Sequence, residues 1–223
     1  MKKSSLLFLL VFFTCTLSAQ RSLTEGAFAN GRFSVAAELG FSRWDGDFHP
    51  TTDQLLNGII NSPLLGLSAE YNLSPYLGVG VMLGTYFLNQ SDDNETHFSR
   101  GVYAAPYVST DLLGVLNAKK LKRWSLWANV GVGMINPIRT RYSRTGTETP
   151  VLSPPAVLMI PWGLTLERKI SPAISLGLSA RFNTSNSDEL DGVVRGDFND
   201  HFQTLGLQVR YRILPETKQH YRD

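Results

Sequence analysis

One stretch near the end of the 223-residue chain constrains the fold more than any other. Within residues 204–211 every second position carries a large apolar side chain, namely Leu205, Leu207, Val209 and Tyr211. Small, polar or charged residues stand between them, and this period of two is that of a β-strand with one apolar face. The charge of Arg210 is costly against lipid but acceptable inside a barrel, so the pattern favours a transmembrane β-barrel.

The start of the chain has the three parts of a secretory signal peptide. Lys2 and Lys3 form a positive start, residues 6–13 are apolar, and residues 16–19 are mostly small. We expect cleavage after Ala19 or one residue earlier. This divides the chain into a signal peptide at 1–19 and one barrel domain at 20–223, with a short periplasmic tail at 215–223. The single cysteine, Cys15, lies in the signal peptide, so the mature chain has no disulfide.

Composition excludes several other classes. About 200 mature residues suit one all-β domain. After the signal peptide, the apolar run at residues 157–166 contains Pro161 and is far shorter than the roughly 20 residues of a membrane-spanning helix. A net charge of +2 argues against a nucleic-acid partner, which would need Lys and Arg gathered on one face.

The alternation of apolar and polar residues recurs in eight segments, as expected for tilted membrane strands of roughly 9 to 11 residues. They cover residues 33–42, 65–71, 77–87, 101–110, 124–134, 158–168, 174–183 and 204–211. The fourth is the least regular, because Pro106 would remove a ladder hydrogen bond if it were paired on both sides. The predicted fold class is therefore all-β, an eight-stranded antiparallel transmembrane β-barrel with short periplasmic turns and longer outer loops.

The connections between the segments alternate in length as well. Ser74-Pro75 and Ser171-Pro172 predict tight turns. Long polar connections at residues 44–61, 90–97, 139–153 and 187–200 predict loops. An even number of strands puts both termini in the periplasm, so the tight turns are periplasmic and the loops lie outside. Residues 112–122 are the exception, a longer periplasmic connection.

Alternation alone also fits a soluble barrel of lipocalin type, in which the apolar residues face inward. Two features favour the membrane barrel. The polar face is rich in Gly and Ser with isolated charges, as a narrow lumen requires. Aromatic residues also lie near the predicted strand ends, where a membrane interface places them: Trp44, Tyr71, Tyr76, Phe87, Trp124, Phe182, Phe202 and Tyr211.

Five charged residues fall on the predicted inner face, and we call them the lumen network: Glu38, Glu70, Glu167, Arg181 and Arg210. The interior of an eight-stranded barrel is just wide enough for side chains, so these charges should pair across the lumen and close it. The network is either a gated ion path or a set of salt bridges that stiffens the barrel. The narrow lumen favours the second interpretation.

His97 and Ser99 share one strand face, at the spacing that an outer-membrane lipid A deacylase uses for a His and Ser pair. The surroundings of that enzyme are not evident, and the similar segment at 181–186 lacks a histidine. We interpret His97 as a loop-edge histidine and expect no catalytic residue. The other histidines lie in loops and in the tail without metal-ligand spacing, so no metal and no cofactor are expected.

Residues 187–193, 199–202 and 205–211 resemble the end of OmpA-like and related small outer-membrane β-barrel proteins of Bacteroidota. Thr204, Gly206, Val209 and Tyr211 also resemble the terminal-strand signal by which such barrels are recognised for assembly. The resemblance implies a location in the outer membrane. The partners would be its lipid, its lipopolysaccharide and the barrel assembly machinery. Many such proteins carry a following domain that binds peptidoglycan, and we expect none here because only residues 215–223 follow the last predicted strand.

These observations predict a non-enzymatic integral outer-membrane protein with a structural, adhesive or envelope-organising role. The outer loops, or an envelope protein bound at residues 112–122, would perform it. Three alternatives stay open: a membrane-embedded lipid A-modifying enzyme, a secretion-system barrel component and a soluble periplasmic carrier of lipocalin type.

Overall fold

The computed structural model describes residues 33–45, 62–91, 95–116, 123–144, 147–148, 155–186 and 201–213. The predicted signal peptide, the tail at 215–223 and most of the predicted loops lie outside the described residues. The described elements are β1 (Phe33–Asp45), β2 (Pro63–Ser74), β3 (Leu77–Ser91), β4 (Glu95–Asp111), α1 (Leu112–Val115), β5 (Trp124–Gly131), β6 (Gly133–Arg144), β7 (Thr147–Glu148), β8 (Val157–Lys169), β9 (Ile174–Ser185) and β10 (His201–Ile213). No helix in these ranges is long and apolar enough to cross a membrane.

The strands form a closed ring in which every pair is antiparallel. β1 pairs with both β2 and β10, and β3 pairs with β4, which closes the ring. β5 and β6 follow one another along β4 and together make one barrel strand. Among the strands that the structure describes, the two-residue β7 pairs only with the end of β6. Within the described residues this is an eight-stranded antiparallel barrel, as the sequence predicts.

The pairing register fixes the stagger of the strands. Stepping once around the ring from Phe33 returns to β1 at Arg43, ten residues further along. The steps run through Tyr71, Val79, Val108, Val130, Trp162, Phe182 and Gln203. For eight strands this stagger corresponds to a tilt of about 40° from the barrel axis.

The two faces of each strand have opposite chemistry, with the apolar face outside. On β1, Leu39 is 66% exposed while its neighbour Glu38 is 5% exposed. Exposed apolar residues alternate with buried ones along β8, β9 and β10 as well. The buried positions there are polar or glycine except toward the loop end of these strands, where Val157, Met159, Pro161 and Phe202 are buried. A soluble carrier of lipocalin type needs the reverse, an apolar interior, so this arrangement contradicts that alternative.

The two predicted tight turns are built alike. Ser74 Oγ accepts hydrogen bonds from the backbone N–H groups of Tyr76 and Leu77, at 3.2 and 3.1 Å. Ser171 Oγ accepts the corresponding bonds from Ala173 and Ile174, at 3.3 and 3.0 Å. A serine hydroxyl that satisfies turn N–H groups stabilises a short reversal of the chain. We call this end of the barrel the turn end and the opposite end the loop end.

Pro106 leaves β4 continuous and interrupts its neighbour instead. β4 spans 17 residues, and Pro106 pairs with Val81 of β3. On its other side the Val132 N–H donates to the Pro106 carbonyl at 3.2 Å, but proline has no N–H to donate in return. Val132 accordingly separates β5 from β6. The irregularity predicted for the fourth segment thus appears one strand further along.

Two of the predicted loops are partly strand. β3 and β4 remain paired up to Ser91 and Thr96, and β6 continues to Arg144. The prediction that residues 90–97 and 139–153 are loops is therefore wrong for the paired residues. Apolar alternation ends before these strands do, because strand pairing that continues into water no longer requires an apolar outer face.

Candidate functional site

Each residue of the lumen network lies on the inner face of a different strand. Glu38 is on β1, Glu70 on β2, Glu167 on β8, Arg181 on β9 and Arg210 on β10. All five are 7% exposed or less. Burial without partners would be prohibitive for a charged group, so the contacts among these side chains determine what the lumen can do.

Arg210 connects two carboxylates across the turn-end half of the lumen. Its Nη1 lies 2.9 Å from Glu70 Oε1, and its Nε lies 2.7 Å from Glu167 Oε1. Nη1 also donates to Ser34 Oγ at 3.2 Å. The guanidinium carbon lies 5.9 Å from the centre of the Trp127 ring, within cation–π range. One side chain from β10 therefore contacts β1, β2, β5 and β8.

Glu70 has a second set of partners on β4. Its Oε2 accepts hydrogen bonds from the Tyr107 hydroxyl at 3.0 Å and from Ser109 Oγ at 2.9 Å. Both carboxylate oxygens are thus satisfied by charged or polar donors. A buried ion pair is tolerated when its remaining lone pairs are hydrogen-bonded in this way.

Glu38 and Arg181 form the second buried ion pair. Ser179 Oγ donates to Glu38 Oε1 at 2.6 Å, so this carboxylate too has partners on both oxygens. Arg181 Nη1 lies 3.5 Å from Met82 Sδ, which closes the space between the pair and β3. The structure brings all five predicted residues into two ion-paired groups. The sequence did not indicate which arginine would serve which carboxylate.

Glycines on the inner face make room for the carboxylates. A Cβ atom added to Gly206 would lie 2.6 Å from Glu38 Oε1, and one added to Gly78 would lie 2.9 Å from Glu70 Cδ. Real Cβ atoms do not approach that closely. Gly206, predicted as part of the assembly signal, thus has a packing role of its own.

The other three residues of the predicted assembly signal divide between the faces. Thr204 is buried on the inner face, whereas Val209 and Tyr211 are each 50% exposed on the outer face. The outward pair is accessible to a partner that approaches from the membrane side. Recognition by the assembly machinery stays a prediction.

An apolar cluster closes the loop-end half of the lumen. Tyr86 and Phe202 stack with ring centroids 5.5 Å apart, and each is 1% exposed. Leu64, Ile135 and Met159 are buried with them. The prediction that Phe202 lies at the membrane interface is therefore wrong. Its even number along β10 places it on the same face as Thr204 and Arg210, and this parity was the signal available in the sequence.

The space left inside the barrel is small. A cavity of about 30 Å³ remains between the side chains of the lumen network. It is also lined by Trp127 and Asn129, and three polar atoms there have no partner among the described residues: Trp127 Nε1, Asn129 Oδ1 and Arg181 Nε. This space has room for one or two water molecules, which need such donors and acceptors.

The His97 and Ser99 pair is only partly described. The side chain of His97 lies outside the described residues. Ser99 is 2% exposed on the inner face, with its Oγ 3.4 Å from Thr140 Oγ1. Its hydroxyl therefore does not face the outer surface, where a lipid substrate would lie. Within the described ranges no group of three His, Cys, Asp or Glu side chains is arranged to hold a metal ion.

Solved structures with a similar backbone are small barrels of the bacterial surface. Neisserial surface protein A matches with a TM-score of 0.52 and 12% identity, over 83% of this chain and 99% of that one. Ail, the attachment invasion locus protein of Yersinia pestis, matches with a TM-score of 0.51 and 13% identity, over 82% of this chain and 99% of Ail. No protein-family model matches the sequence, and no curated protein matches it. At these identities the likeness concerns the fold.

Proposed function

We propose that this chain is a non-enzymatic integral protein of the outer membrane, in which a closed and rigid barrel carries a structural, adhesive or envelope-organising role. The observation that carries this proposal is the distribution of side chains between the two faces of the barrel. The outer surface is apolar, and the interior is filled by the ion pairs of the lumen network and by the Tyr86 and Phe202 stack.

The outer surface supports a membrane location. Exposed apolar residues occupy all eight barrel strands, a surface far larger than a soluble monomer presents to water. Near the turn end the outward aromatic residues include Tyr71, Trp124 and Tyr211. Toward the loop end Trp162 and Phe182 stack outward with centroids 4.5 Å apart. Aromatic residues at both edges of an apolar band are typical of transmembrane barrels.

The interior supports an anchor rather than a pore. An ion could pass only by separating Arg210 from Glu70 and Glu167, or Arg181 from Glu38. Breaking a buried ion pair costs about 3–5 kcal/mol when one partner is removed. The network therefore favours a closed lumen, which leaves the outer loops and the turn end as the surfaces through which the protein would act.

Attachment is the first role to test. The two similar structures are named as a surface protein and as an attachment invasion locus protein, and Ail is also known in complex with a heparin analogue, sucrose octasulfate. In this chain the same role would fall to the long connections at 44–61 and 187–200.

The location is tested by fractionation and electrophoresis. The protein should appear in the outer membrane and should migrate differently on SDS gels before and after boiling, because closed barrels stay folded in detergent. Reconstituted into planar bilayers, it should give no conductance steps. Release with the soluble periplasm, or steady channel activity, would contradict the proposal.

The role is tested with cells that display the barrel. Replacement of residues 187–200 by a short Gly-Ser turn should reduce binding of the cells to heparin-coated surfaces while leaving the heat-dependent shift unchanged. Equal binding by both forms would argue against attachment through this loop and favour an envelope-organising role.

A further inference from the structure

Three arginines lie together on the outer face at the loop end, and we call them the arginine cluster: Arg100 on β4 with Arg139 and Arg141 on β6. Arg100 and Arg139 are direct cross-strand partners, and Arg141 is paired with Phe98 one row further out. Like charges directly opposite one another destabilise a sheet. Among the side chains that the structure describes, no carboxylate forms an ion pair with any of the three.

A bulge produces this arrangement. The β4–β6 register shifts between Arg100 and Gly101, so that Ile138 is inserted and Arg139 comes to stand opposite Arg100. Thr140, the next residue, is 1% exposed on the inner face, which leaves Arg139 and Arg141 on the outer side. Bulges are conspicuous devices for re-aiming side chains. Here the bulge brings two positive charges face to face on the outer surface at the loop end.

An apolar groove begins directly beside the arginine cluster. It crosses the outer face of β2, β3, β4 and β6 and has a volume of about 530 Å³. Its lining combines the small residues Gly84, Ala104 and Ala156 with larger neighbours, which include Leu65, Leu67, Leu83, Val102 and Met134. Volumes of roughly 300–1,000 Å³ are typical of sites that hold small molecules.

The character of the outward-facing side chains changes from row to row along β3, β4 and β6. Arg100 and Arg139 form one row, and the adjacent row, about 7 Å nearer the turn end, carries Thr85 and Asn136 beside Val102. The row after that is wholly apolar, with Leu83, Ala104 and Met134. Cationic, then hydrogen-bonding, then apolar groups therefore follow one another from the loop end inward.

We propose that this surface binds lipid A of the lipopolysaccharide in the outer leaflet. A phosphate would lie on the arginine cluster, the sugar and ester groups beside Thr85 and Asn136, and an acyl chain in the groove. Guanidinium groups match phosphate oxygens with paired hydrogen bonds, and a shared phosphate relieves the repulsion between Arg100 and Arg139. The proposal rests on the proposed outer-membrane location, which puts the loop end at the outer leaflet.

Charge complementarity favours this occupant over a second copy of the chain. A protein surface that filled only the groove would leave the arginine cluster at its edge without counter-charges among the side chains that the structure describes. A lipid with a phosphate above and acyl chains below satisfies both parts at once. Occupation by a second copy is therefore an outcome that the experiment has to separate.

The role of the arginine cluster is tested with the folded mature barrel in nanodiscs, titrated with purified bisphosphorylated lipid A. The triple variant R100Q/R139Q/R141Q should bind lipid A about tenfold more weakly or worse, as expected when charge-assisted hydrogen bonds are lost. R168Q is the matched control, since Arg168 is an outward arginine at the turn end, 5.6 Å from the ring of Trp124. R100Q alone is the second variant if the triple variant folds poorly. Equal binding by R100Q and wild type would overturn the proposal.

The role of the groove is tested with substitutions that leave the charge of the barrel unchanged. Ala104→Phe should fill the groove and weaken lipid A binding, whereas Leu207→Phe on the opposite side of the barrel should not. Phosphatidylglycerol serves as a second probe and should bind more weakly than lipid A. Equal affinity for both lipids, or loss of a dimer in A104F by light scattering, would overturn lipid A as the occupant. The heat-dependent gel shift of each variant reports the barrel itself, so failure of the site remains distinguishable from failure of the proposed function.

Discussion

Arg210 and Glu70 join two strands that are not neighbours in the ring. Their side chains meet at 2.9 Å across β1, which is paired with β10 on one side and with β2 on the other. Arg210 also contacts Glu167 of β8 at 2.7 Å, so one guanidinium connects β10 with both β2 and β8. The lumen network thus adds contacts across the barrel to the hydrogen bonds around it.

Replacement of Arg210 should be the most damaging single change in the network. Arg210→Gln leaves Glu70 and Glu167 buried close to each other without their counter-charge, and we expect a loss of about 3–5 kcal/mol in the free energy of unfolding. Urea unfolding of the barrel in lipid vesicles measures it. R168Q at the outer surface serves as the control and should change stability by no more than about 0.5 kcal/mol. Equal stabilities of R210Q and wild type would contradict the assigned role of Arg210.

Glu38 and Arg181 should behave as one unit. Either single variant, Glu38→Gln or Arg181→Gln, leaves a buried charge without its partner, whereas the double variant removes both. The loss of stability in the double variant should therefore be smaller than the sum of the single losses, with a coupling of about 0.5–3 kcal/mol. The same unfolding assay gives the cycle. Additive losses would mean that the contact contributes nothing beyond the two separate side chains.

Gly206 and Gly66 offer a matched test, because both face Glu38. A Cβ at Gly206 would lie 2.6 Å from Glu38 Oε1, whereas one at Gly66 would lie 3.4 Å from Glu38 Cβ, an ordinary contact. Gly206→Ala should cost about 1–3 kcal/mol through overpacking, and Gly66→Ala should be near neutral.

Refolding of the Gly206 and Gly66 variants in vitro, where no assembly machinery is present, separates packing from recognition. A deficit of G206A that is seen only in cells would assign Gly206 to the assembly signal instead.

The sequence determined which residues face inward, and the register determined which of them meet. Alternation placed Glu38, Arg181 and Arg210 on the inner face because side chains in a strand alternate strictly. The stagger of ten residues, which sets the heights of these side chains across the ring, depends on pairing between strands and leaves no mark on one strand.

The arginine cluster also depends on the register between strands, which the sequence of one strand does not show. The opposition of Arg100 and Arg139 follows from the bulge at Ile138, and nothing in residues 136–141 taken alone indicates that one residue is inserted there. Phe202 differs from both cases, since its parity along β10 was sufficient to place it inside.

Phe202→Ala should distinguish the two groups of side chains that fill the lumen, the apolar cluster at the loop end and the ion pairs of the lumen network. Removal of a ring that is 1% exposed and stacked on Tyr86 leaves a cavity at the loop end, and we expect a loss of about 3–5 kcal/mol in stability. Leu207→Ala on the same strand is the control, because lipid can fill the space beside a side chain that is 70% exposed. Bilayer recordings of F202A should still show no conductance, since Arg210 and Arg181 remain paired nearer the turn end. Channel activity in F202A would show instead that the aromatic stack, and not the ion pairs, is the barrier that closes the lumen.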